Sequence, residues 1–228
     1  MKRLAFPILV GVLGTLVLVW LGSWQVQRLG WKEDLLSSID ARIGAAPVAV
    51  PDSPSFESDR FLPVTVEGAL GERTINVLAS LKVVGAVHRK IAVLETEGRR
   101  LLVDLGYIRV GQPEPEIGGA KVTLTGNLDW PNETDSFTPG PDTATGLWFA
   151  RDVEALAAEL RAEPFLIVAR SMEPGISGIT QHPVDSSGIP NDHLEYAITW
   201  FSLAVIWIGM TGFWVWRNRA RVDSDEQS

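Results

Sequence analysis

Two stretches without a single charged side chain bracket this chain, residues 4–27 near one end and residues 197–216 near the other. A helix of 20 residues spans about 30 Å, the thickness of a bilayer's hydrocarbon core. Pro7, Gly11, Gly14, Gly209 and Gly212 interrupt the runs. Such residues are tolerated in membrane helices, and small ones let neighbouring helices approach closely. Seven of the nine tryptophans (20, 24, 31, 200, 207, 214 and 216) lie in or beside the runs, and most sit near run ends, as an aromatic belt places them. The pattern predicts two transmembrane helices. A cleaved signal peptide is the other reading of the first run, since Lys2 and Arg3 precede it. The length of the run, and Trp24-Gln25-Val26-Gln27-Arg28 where a small-x-small cleavage site would stand, favour a span.

Basic residues set the expected orientation. Lys2, Arg3, Arg217, Arg219 and Arg221 flank the outer ends of the runs, and only Arg28 and Lys32 flank the inner ends. Both termini are therefore expected in the cytoplasm and the intervening domain in the periplasm. The first run lacks the Arg- and Ser-rich amphipathic lead of a transit peptide, which points to a bacterial inner membrane. Residues 25–195 carry 15 basic against 25 acidic side chains, an excess that argues against nucleic acid as a partner. With no cysteine, disulfides and thiolate chemistry are excluded.

Between the runs, Leu35, Leu36, Ile39 and Ile43 extend the first helix at helical spacing, and Pro47, Pro51 and Pro54 end it. Short β-branched segments then follow at 63–70, 74–79, 90–95, 100–108 and 121–128. Glu97-Gly98 suits a hairpin turn. Residues 131–146 read as a long loop, 151–162 as a helix and 164–171 as a further strand. The expected architecture is α+β: two transmembrane helices flanking an extramembrane antiparallel β-rich domain, or small barrel, with one or two helices. The expected boundaries are a first span at 4–27, the domain at 28–190, a second span at 191–216 and a cytoplasmic tail at 217–228.

Catalytic motifs are missing: there is no G-x-S-x-G elbow, H-E-x-x-H, phosphate loop or dinucleotide fingerprint. No enzyme is expected. His88 and His182 fall in expected loops without ligand spacing. Asp104, inside the apolar segment LLVDLGY, needs a hydrogen-bonding or ion-pair partner that the sequence leaves unidentified.

The start of the second run has more to offer. Pro190 blocks an earlier helix start, Asp192 and Glu195 form a D-x-x-E capping pattern, and His193 falls in the first turn. Tyr196 and Trp200 follow three and seven residues on, on the same side of the helix. A helix N-terminus disfavours imidazolium while the neighbouring carboxylates favour it. A neutral His193 above an aromatic and apolar face would suit a metal in a flat macrocycle. On the residues alone the plainer reading is favoured, in which His193 and Tyr196 are interfacial anchors that hydrogen-bond the domain to the membrane. At the first run, Trp24, Gln25 and Arg28 are spaced i, i+1 and i+4, with Trp31 and Lys32 a turn further. Arg28 could pair a carboxylate such as a porphyrin propionate, or snorkel and fix helix depth.

These two motifs closely resemble those of the surfeit locus protein 1 family, assembly factors of haem-copper cytochrome c oxidase. Leu21, Gly22, Trp24, Gln25, Arg28, Trp31 and Lys32 match LGxWQxxRxxWK. Asn191, His193, Tyr196, Ala197, Thr199, Trp200, Phe201, Leu203 and Ala204 match NxHxxYAxTWFxLA. A weaker central match sets LVDLGY against LVDRGW, with Leu105 in place of arginine and Tyr107 in place of tryptophan, so a charge role at that site is expected to be lost. Asp192 replaces a frequent asparagine. The resemblance implies a two-span membrane chaperone that assists haem a delivery to oxidase subunit I. It implies His193 as ligand of the haem iron, with Trp200, Tyr196, Arg28 and Trp24 supporting. The implied partners are subunit I, the haem a synthesis machinery and membrane lipid. The alternative is a scaffold that stabilises oxidase subunits without touching haem.

Overall fold

A computed structural model describes residues 2–142 and 144–225. The final three residues of the 217–228 tail lie outside the described residues. The chain forms two compact units, one built from the residues up to Ser38 and those from Ser187 onward, the other from Ile39–Ser186.

In the first unit, helix α1 (Lys2–Ile43) contributes its N-terminal part and helix α4 (His193–Asp225) is the other member. α1 runs unbroken through Arg28, the charged residue that ends the apolar run, and its predicted extension over Lys32–Ile43 is continuous with that run. At 42 residues it is about 60 Å long, twice what a bilayer core requires. Both helices are long and apolar enough to cross a membrane, and only 11% and 6% of their most apolar windows are buried. That exposure distinguishes them from core helices of a soluble domain. The less exposed positions recur every three or four residues: Gly11, Gly14, Leu18, Gly22 and Gln25 on α1, and His193, Ala197, Trp200, Ala204, Trp207 and Thr211 on α4. This is the spacing of two helices wound side by side. Gly11 faces Thr211, Gly14 faces Trp207 and Gly22 faces Phe201, so the helices run antiparallel. A Cβ at Gly22 would come to 2.8 Å from the Phe201 ring. Small residues thus set the closeness of the seam, as they do where lipid offers no hydrophobic drive to pair helices. The Trp207 indole Nε1 donates to the Gly11 carbonyl at 3.0 Å across the seam, and the Thr15 hydroxyl donates to the same oxygen at 2.8 Å.

The second unit is a sheet of seven strands: β1 (Val48–Ala49), β2 (Pro63–Leu81), β3 (Gly85–Thr96), β4 (Arg99–Arg109), β5 (Lys121–Asp129), β6 (Leu147–Trp148) and β7 (Glu163–Glu173). Helix α2 (Phe56–Asp59) precedes β2, and α3 (Val153–Leu160) precedes β7. Strands β2, β3, β4, β7 and β5 follow one another in space, and β5 pairs back onto β2, closing a five-stranded barrel. The two segments expected at 63–70 and 74–79 are one strand, β2, bent where its register shifts between Leu70 and Thr74. Its first half pairs with β5 and its second with β3. Glu97 and Gly98 both take positive φ, 42° and 82°, the two-residue turn that matches strand twist, and join β3 to β4.

The α+β class holds, with one correction to the sheet. β2–β3, β3–β4, β2–β5 and β5–β7 are antiparallel as expected, but β4 and β7 run parallel, as do the short pairings of β1 and β6 with β2. The sheet is mixed because the chain leaves β4 for β5 and returns through α3 before pairing with β4. Strand alternation sends Leu94, Leu101, Val103, Leu105, Leu124 and Ile167 into the barrel. The opposite parity, with Ile91, Val93, Leu102, Leu166 and Val168, packs beneath Val153, Leu156 and Leu160 of α3. Asp152 caps that helix, accepting from the Ala155 amide at 3.0 Å.

Candidate functional site

In the first unit, α4 begins at His193, and the Asp192 carbonyl accepts from the Tyr196 amide at 3.2 Å. Asp192 therefore stands at the cap position, and the imidazole projects from the first residue of the helix. His193 is part-buried, and its Nδ1 lies 2.8 Å from Oε1 of Gln25 on α1. Gln25 is only 9% exposed. A buried side-chain amide on a membrane helix is costly unless it finds a hydrogen-bonding partner, and here the partner comes from the other helix.

The remaining expected site residues fall around this pair. Trp200 continues the seam from His193, next to the small Ala197 and Ala204, which are 2% and 3% exposed. Tyr196 and Trp24 turn outward, 55% and 45% exposed. Arg28 is exposed, and its guanidinium lies 4.5 Å from the centre of the Trp31 ring one turn along the same helix. The residue of α1 that engages His193 is thus Gln25, one turn before Arg28. It lies in the matched motif but was not among the expected site residues. Its signal was a polar side chain at a seam position inside a charge-free run.

A second polar cluster occupies the barrel unit. Asp104 is fully buried on β4, with the parity of Leu102. Its Oδ2 accepts from Arg89 Nε at 2.7 Å and Arg151 Nη1 at 3.3 Å, and its Oδ1 accepts from the Gly106 amide at 3.1 Å. Arg151 is held in turn by Glu133, which also accepts from the Arg151 amide at 2.9 Å. These are the partners that the sequence left unidentified. Leu105, by contrast, is fully buried in the barrel core. The charge beside this match comes from Arg89 on β3 and Arg151 in the loop before α3.

Gly106 has φ +116°, and a Cβ there would run into the Thr180 carbonyl. The bare backbone lets Tyr107 pair with Thr180, N to O at 2.8 and 3.0 Å. That pairing lays the following segment over the cluster, where the His182 carbonyl accepts from Arg89 Nη2 at 3.3 Å and its ring meets Tyr107 edge-on at 6.0 Å. The central LVDLGY match is thus a folding element. His182 lies in a loop, as expected, but is partly buried, whereas His88 belongs to β3, paired with Leu78 and Ile108. Burial, reinforced by the Arg89 guanidinium, pushes the His182 pKa down. A depressed histidine pKa adds stability that is intact above the unfolded value, near 6.5, and is lost as pH falls through the folded one. Unfolding midpoints should therefore decline below about pH 6.5, and His182→Gln should flatten that part of the slope. A slope identical in both proteins would place the effect elsewhere.

Among the described residues no group of three His, Cys, Asp or Glu is placed to hold a bare metal ion. The fold is that of a chain with two helices long and apolar enough to cross a membrane, a closed β-barrel in the sequence between them, and a His–Gln pair across the two helices. The chain belongs to the SURF1 family, whose model matches residues 12–205. It is similar to Surfeit locus protein 1 of Xenopus tropicalis, 28% identical over 211 residues covering 80% of this chain and 67% of the relative. It is also similar to the SURF1-like protein of Monosiga brevicollis, 27% identical over 221 residues and covering 87% and 82%. Surfeit locus protein 1 of Homo sapiens is 28% identical over 213 residues, covering 81% and 69%.

Proposed function

We propose that the protein is a non-enzymatic membrane assembly factor for haem-copper cytochrome c oxidase that holds haem a as cargo on its way to subunit I. The observation that carries this reading is the state of the His193 ring. Its Nδ1 is engaged by Gln25, so Nε2 is the nitrogen left to donate to an iron. The donor set fits a macrocycle better than a bare ion, since a porphyrin brings four nitrogens and asks one axial ligand of the protein. Trp200, Trp24 and Tyr196 offer flat faces to an apolar ring at the end of the seam. Arg28, stacked on Trp31, offers a cation to a propionate. Membership of the SURF1 family supports the oxidase, subunit I and the haem a synthesis machinery as partners. The excess of basic residues at the outer ends of the spans supports cytoplasmic termini and a periplasmic barrel in a bacterial inner membrane.

Full-length protein co-produced with haem a synthesis should purify with a haem a absorption spectrum that His193→Ala abolishes. An unchanged spectrum in that variant would remove His193 as ligand. A colourless wild-type protein that still captures subunit I would establish the scaffold alternative instead.

A further inference from the structure

We infer that Gln25 is a positioning residue for His193, fixing which ring nitrogen carries the proton and how strongly the other donates. The inference rests on the reading of His193 as a haem ligand. An amide oxygen can only accept a hydrogen bond, so the 2.8 Å contact requires the proton on Nδ1. In a neutral ring the lone pair then resides on Nε2. Left to itself, an imidazole exchanges between the two neutral tautomers, and one of them places N–H where the iron must bind.

Three features make this contact more than incidental. Gln25 is buried at a seam position, and its neighbours at the crossing, Gly22 and Ala197, are small and buried. The two side chains come from different helices, 168 residues apart in sequence, so the contact forms only when the spans are paired. The ring is engaged by an uncharged acceptor although Asp192 stands at the cap position and Glu195 in the first turn of α4. A partner at the distal nitrogen raises the basicity of a metal-bound histidine. An amide polarises the ring less than a carboxylate does, which gives an iron bond of middling strength. That suits a protein that must give its cargo up.

The test uses full-length protein in lipid nanodiscs with 15N-labelled histidine. There are three histidines, and His193→Ala identifies the signal that belongs to this ring. Without haem, the wild type should show protonated Nδ1 and bare Nε2. Gln25→Met, nearly isosteric but without the oxygen acceptor, should shift the ring toward the opposite tautomer, and Gln25→Glu should restore the wild-type pattern. With haem a, Gln25→Met should weaken binding about tenfold and raise the ferric–ferrous midpoint, and Gln25→Glu should lower that midpoint. A wild-type ring protonated on Nε2 overturns the inference. So do Gln25 variants that leave both tautomer and midpoint unchanged, and if His193→Ala still loses haem in that case the haem reading stands. If His193→Ala keeps the haem spectrum, the haem reading falls and the role of Gln25 falls with it.

Discussion

Asp104→Ala is expected to destabilise the barrel by about 3–5 kcal/mol, the usual consequence of removing one partner from a buried ion pair. Arg89 is 6% exposed and would keep the His182 carbonyl as an acceptor but lose its carboxylate. Arg151 would suffer less, because Glu133 still holds it. The Gly106 amide would lose its acceptor as well. Hydrogen exchange at the β4 amides of the full-length protein in detergent reads the loss where it occurs. The double variant Asp104→Leu/Arg89→Met, which removes both charges, should recover a large share of it. A single variant within about 1 kcal/mol of wild type, well short of that range, would mean that water or Glu133 compensates Arg89.

Gly106→Ala should cost about 3 kcal/mol or more, at the upper end of what a strained backbone conformation alone imposes. Two penalties combine. The residue has a φ that L side chains rarely adopt, and its Cβ would push Thr180 away from Tyr107. Losing the Tyr107–Thr180 pair would also release the segment that holds His182 over the ion cluster. Unfolding should therefore become easier, and the slope with pH assigned to His182 should weaken in the same variant. Gly30→Ala is the natural contrast, since nothing lies within 4 Å of a Cβ there and it sits inside α1. That change should be neutral or stabilising by up to about 1 kcal/mol. Equal losses in the two variants would refute the steric account.

The elements whose residues signal locally were the ones legible in the sequence. Charge-free runs gave the two spans, short β-branched segments between turn residues gave β3, β4, β5 and β7, and Glu97-Gly98 gave the turn. β2 read as two strands because Gly71-Glu72-Arg73 separates its two β-branched segments, and that interruption is where the strand bends. The parallel pairing of β4 with β7 was hidden, since residue pattern says little about which distant strand becomes a neighbour. Asp104 announced itself as a buried charge, yet Arg89 and Arg151, 15 and 47 residues away, carry no mark that selects them as partners. Gln25 was visible only as an anomaly of polarity. Its meaning depends on the antiparallel seam, which brings Gly11 to Thr211 and, by the same progression, Gln25 to His193.

The short strands β1 and β6 bear on how this domain can meet other proteins. Residues 64–65 of β2 pair with both β1 and β5, and residues 76–77 pair with both β3 and β6. A strand has two edges, so β1 and β6 occupy the lengths of edge that barrel closure leaves over. Recruitment by strand addition, in which a client's extended segment borrows backbone donors and acceptors, needs an open margin of this kind. Along these stretches of β2 the margin is already taken. Strand addition at these positions would first have to displace β1 or β6.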